Sequence, residues 1–92
     1  MKKINNHFQY ERINNILEQY GTKFTIESMI LVSDDIFMGA YGFKFKNEIY
    51  HVIKELNGKY RVCKVKNKKI YATYSQDLSF KTLRIVLENL LN

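Results

Sequence analysis

The hydrophobic period changes twice along this chain, and that change limits the folds open to it. Near the N-terminus Tyr10, Ile13, Ile16, Leu17 and Tyr20 recur at helical spacing, and Gly21 supplies a left-handed stop. Asn6 with Gln9 three residues on reads as a capping pair. Near the C-terminus Phe80, Leu83, Val86, Leu87, Leu90 and Leu91 make one apolar face opposite Lys81, Arg84, Glu88 and Asn92, with Asp77 or Ser79 as the cap. Between these ends the period becomes two, and turn chemistry falls at Ser33-Asp34-Asp35-Ile36, Asn47-Glu48, Asn57-Gly58 and Asn67-Lys68. Four turns delimit five strands. Asn57-Gly58 is the strongest of them, because both central positions of a type I′ turn need positive φ.

Centring a tight hairpin on each turn fixes a register. One cross-strand row then reads Phe24, Phe45, Tyr50, Val65, Ile70 and the next Ile26, Phe43, Val52, Cys63, Ala72, both apolar. The predicted fold is α+β: an N-terminal helix, a five-stranded antiparallel meander and a C-terminal helix, with both helices on one face of the sheet. A third row, Ser28, Tyr41, Lys54, Arg61 and Tyr74, sets Lys54 opposite Arg61. Such a pair needs an acid between its members, either a helix glutamate (Glu11, Glu18 or Glu88) or an external anion.

At 92 residues, 46% of them hydrophobic and none proline, the chain reads as one domain over residues 1–92. It holds no run of 18 apolar residues, and its opening residues turn polar at Asn5, Asn6 and His7, so neither a membrane span nor a secretory leader is expected. A single cysteine, Cys63, with two histidines predicts no internal disulfide, no zinc site and no cofactor, and a reducing cytoplasm as the setting.

Net charge is +6, carried by the second half: residues 1–42 hold four basic and five acidic groups, residues 43–92 eleven and four. The densest stretch is Lys59, Arg61, Lys64, Lys66, Lys68 and Lys69. Such lysines either keep a small protein soluble and its strand edges unpaired, or meet an acidic partner. In the predicted register the helix-free face divides into a basic half containing Lys44, His51, Lys64, Lys66, Lys69 and Tyr71 and an apolar half containing Met29, Met38, Ile53 and Tyr60.

Catalytic constellations are not evident. The same register puts Cys63 opposite Val52 and turns His51 to the other face, which separates the thiol from the imidazole. Asp34 and Asp35 suit a turn, Gly39 and Gly42 suit a bulge, a bend or room for a helix side chain, and no phosphate loop occurs. The expected function is a non-enzymatic protein-binding module, an inhibitor that occludes an acidic or nucleic-acid-handling partner through the helix-free face. Toxin immunity proteins and phage anti-defence inhibitors, including anti-CRISPR proteins, share this size and economy, though no motif here belongs to any of them. The alternative is a small basic nucleic-acid-binding domain, with lysines on phosphates and Tyr60 or Tyr71 stacking on bases. A homodimer closed by the same face is compatible with either.

Overall fold

The computed structural model describes residues 8–32, 36–55, 57–67 and 69–92, and the side chains of these apart from residues 27–39. Helix α1 (Tyr10–Glu18) leads into strands β1 (Phe24–Val32), β2 (Ile36–Phe45), β3 (Glu48–Lys54), β4 (Tyr60–Lys66) and β5 (Lys69–Leu78), and helix α2 (Phe80–Leu91) closes the chain. The strands form one antiparallel sheet in sequence order. Among the described residues no helix is long and apolar enough to cross a membrane.

Both helices bury the centres of the predicted stripes, while Tyr10 at the start of α1 stays exposed. Ile13, Ile16 and Leu17 of α1 and Leu83, Leu87 and Leu91 of α2 join Phe24, Phe43, Tyr50, Val52, Tyr60, Val62 and Leu78 in one core on one side of the sheet. A helix as short as α1 is marginal alone in water, so this packing is what holds it. Asn14 Oδ1 also accepts the Phe24 amide at 2.7 Å, tying the helix to the first strand. Gly21 takes φ +87° after α1, and Ser79 caps α2 by accepting the Thr82 amide at 3.2 Å. At the N-terminal cap of α1 the expectation fails: Gln9 itself is the cap residue, makes no side-chain cap bond, and gives its amide to Tyr60 Oη. Asn6 lies outside the described residues, as does the Ser33-Asp34-Asp35 part of the first turn.

The register differs from the predicted one in three hairpins, with unequal consequences. Between β2 and β3 the turn is Lys46-Asn47, both left-handed at φ 51° and 67°, one residue earlier than Asn47-Glu48. Partners move by two residues, which leaves the faces unchanged and stacks Phe43 on Tyr50 with centroids 5.3 Å apart. Between β3 and β4, Asn57-Gly58 does not form a two-residue turn. Glu55 and Lys59 close a wider loop, Asn57 Oδ1 accepts the Lys59 amide, and of the Asn57-Gly58 pair only Gly58 takes positive φ. Partners there move by one residue, so every side chain of β4 changes face. The gain is hydrophobic: Tyr60 and Val62 enter the core where Arg61 and Cys63 would have stood. In β1 the pairing also slips by one, and a bulge between Phe24 and Ile26 returns Phe24 to the core. The β4–β5 hairpin starts as predicted, Lys66 opposite Lys69 and Val65 opposite Ile70, then bulges three times.

Candidate functional site

The reversal of β4 and of the start of β5 redistributes the predicted site residues. Lys44, His51 and Ile53 stay on the face away from the helices. Lys64 instead shares a row with Tyr50 and Ala72 on the helix-bearing side, where Lys66 and Lys69 face one another. Tyr71 reaches that side as well, its hydroxyl donating to Glu48 Oε1 at 3.2 Å. The predicted row of Lys44, His51, Lys64 and Tyr71 therefore does not exist.

The predicted apolar half does not survive as a surface either. Tyr60 is 1% exposed, with the Lys54 ammonium 4.9 Å above its ring, and cannot meet a partner. Ile53 is 4% exposed, on the face that carries no helix. Met29 and Met38 lie in β1 and β2, but their side chains are outside the description. Lys54 and Arg61 are not opposed: Lys54 pairs with Tyr60, and Arg61 sits on the other face in a salt bridge with Glu55. No anion is needed to hold them together.

The helix-free face contains a buried cluster that the predicted register hides. His51 and Cys63 are direct cross-strand partners, and with Ala40 and Ile53 both are buried. The imidazole lies over Gly42: a Cβ there would come within 2.6 Å of His51 Cδ2 and 2.7 Å of Nε2. Gly42 thus makes room for His51, not for a helix side chain. His51 and Cys63 thus share a face, which corrects their expected placement on opposite faces, yet the electrostatics oppose activation. Burial lowers the His51 pKa. Burial also raises the Cys63 thiol above its ordinary value, against smaller opposing effects of Arg61 and Thr73. Both groups are held neutral, whereas a nucleophilic pair draws its reactivity from the thiolate. Among the described residues no three His, Cys, Asp or Glu side chains converge on a metal position.

Two other surfaces stand out. An open hollow of about 420 Å³ beside α1 is lined by Tyr10, Phe24, Thr25, Ile26 and Tyr41, none a catalytic acid or base near neutrality. Next to it the β1–β2 ribbon runs past the rest of the sheet: β3 pairs with β2 only from Ala40 to Phe45, so Ile36–Gly39 pair with β1 alone. The ribbon's sequence, Met29-Ile30-Leu31-Val32 and Ile36-Phe37-Met38, carries no charge. Its breadth could have been found by noticing that apolar residues there are consecutive, not alternating, so that residues of either parity are apolar.

These features define a small α+β domain with a two-stranded apolar extension and a basic end. No protein-family model matches the chain, and no curated protein or solved structure matches it.

Proposed function

We propose that the protein is a small non-enzymatic binding module that occludes a larger protein partner, in the manner of an immunity or anti-defence inhibitor, with the β1–β2 ribbon as its main contact. The observation that carries this reading is the extension of Met29–Val32 and Ile36–Gly39 beyond the last β3 partner, Ala40. An isolated two-stranded ribbon is marginal in water, and consecutive apolar residues give it no wholly polar side to present to solvent. Burial against a partner offsets both costs.

The test replaces Met29 and Met38 together by Asp. A tagged wild-type chain should retain a protein partner from extract of its native host, and the double variant should lose it while keeping its circular dichroism and melting temperature. Retention of the same partner by the folded variant would refute the assignment. A wild-type chain that only self-associates, and becomes monomeric in the variant, would make the second copy the partner.

A further inference from the structure

We infer that the sheet end built by the β2–β3 and β4–β5 turns is a binding site for single-stranded nucleic acid, centred on Lys64, Lys66, Lys69, Tyr71 and Tyr74 and independent of the β1–β2 ribbon. In an antiparallel meander the second and fourth turns lie at the same end, so Lys46 in one turn and the Lys66–Lys69 pair beside the other share it. Lys64 follows one row further in, opposite Ala72. Rows of one face are about 7 Å apart along a strand, which lines up three amines on the helix-bearing side.

Lys66 and Lys69 face one another directly, an arrangement that destabilises a strand pair. No carboxylate among the described residues forms an ion pair with either, since the salt bridges there are Arg61–Glu55 and Arg84–Glu88. A phosphate between them would turn the repulsion into attraction. The acid nearest this group, Glu48, is engaged by the Tyr71 hydroxyl.

Beside the amines stand two aromatic rings that the core does not absorb. Tyr71 is 52% and Tyr74 45% exposed, and the bulge between Lys64 and Val65 helps to bring Tyr71 to the lysine side. Tyr74 is held edge-on against Tyr50, centroids 6.4 Å apart, which fixes its ring without covering it. Amines that track a backbone and exposed rings that accept bases are the two components of sequence-tolerant single-strand binding. Stacking needs unpaired bases, and neither helix is free to enter a groove, since both pack on the sheet. These two points favour a single strand over a duplex.

The experiment is fluorescence anisotropy of a labelled oligothymidylate of about 12 nucleotides, titrated with the full chain across a salt series, with the matching duplex and polyglutamate as competitors. The single strand should bind with log affinity falling linearly in log salt. Lys66→Ala with Lys69→Ala should flatten that slope by about 0.7, the contribution of the one phosphate held between them on a single strand. Tyr71→Leu should weaken binding at least about fivefold with the slope unchanged, because stacking releases no counterion. Four results would overturn the inference: no binding at about 50 mM salt, a duplex or polyglutamate that competes as well as the single strand, affinity indifferent to Tyr71→Leu, or a slope indifferent to the lysine pair. All three substituted positions are exposed, and unchanged melting temperatures establish that the variants are folded.

Discussion

Replacing Gly42 by Ala tests the packing of the helix-free face at its tightest point. Gly42 has no positive φ, so its backbone accepts a side chain, and removing a strand glycine would by itself favour folding by about 0.5–1 kcal/mol. The space does not accept one. The new methyl would stand 2.6 Å from His51 Cδ2 and 3.1 Å from Ile26 Cβ, where apolar atoms prefer about 3.5–4.0 Å. His51 is itself only 7% exposed, so the ring has little open space to move into. Overpacking of this kind costs about 1–3 kcal/mol, so set against that gain the net destabilisation centres on about 1 kcal/mol, a melting temperature lower by roughly 4–8 °C for a domain this size. Urea unfolding followed by circular dichroism reads it, and a double-mutant cycle with His51→Ala isolates the cause. In the His51→Ala background Gly42→Ala should become neutral or stabilising. A Gly42→Ala protein as stable as wild type, or one whose loss persists without His51, would show that the imidazole does not occupy that space.

Three further outcomes follow from the same packing. Because burial holds the His51 pKa below its ordinary value of about 6.5, the unfolded chain binds that proton first as pH falls; stability is therefore full above about pH 7 and declines below 6.5, and this part of the decline should vanish in His51→Gln, as urea midpoints between pH 7.5 and 5 would show. Phe43→Ala, at a fully buried ring stacked on Tyr50, should cost about 3–5 kcal/mol, while exposed Lys66→Ala should stay within about 0.5; similar urea midpoints for the two variants would contradict the burial of Phe43 in the core. The Cys63 thiol, buried and raised in pKa, should react with a thiol reagent such as dithionitrobenzoate only at the rate of local or global opening, so labelling should quicken in urea; prompt labelling of the native protein would place the thiol at the surface.

What the sequence determined alone is the part of the structure that depends on local order. Helical spacing at both ends located α1 and α2 and their buried stripes, because side chains three and four apart share a helix face whatever lies beyond it. Alternation with four turn signals gave five strands in meander order. The face of each strand was not local in this sense. It hinges on whether a loop has an even or odd number of residues, and Asn57-Gly58 supports a two-residue turn or a wider loop with Gly58 alone left-handed. Only the tertiary core chose between them, since burying Tyr60 and Val62 against both helices outweighs burying Cys63 and leaving Arg61 beneath them. That one-residue choice carried β4 and the first residues of β5 to the opposite faces, and the bulge between Lys64 and Val65 kept Ala72 on the helix-bearing side. It put Lys64, Lys66 and Tyr71 beside Tyr74, paired His51 with Cys63, and took Tyr60 out of reach of any partner. The candidate sites were thus legible as residue types, while their grouping was fixed by the competition for one hydrophobic core.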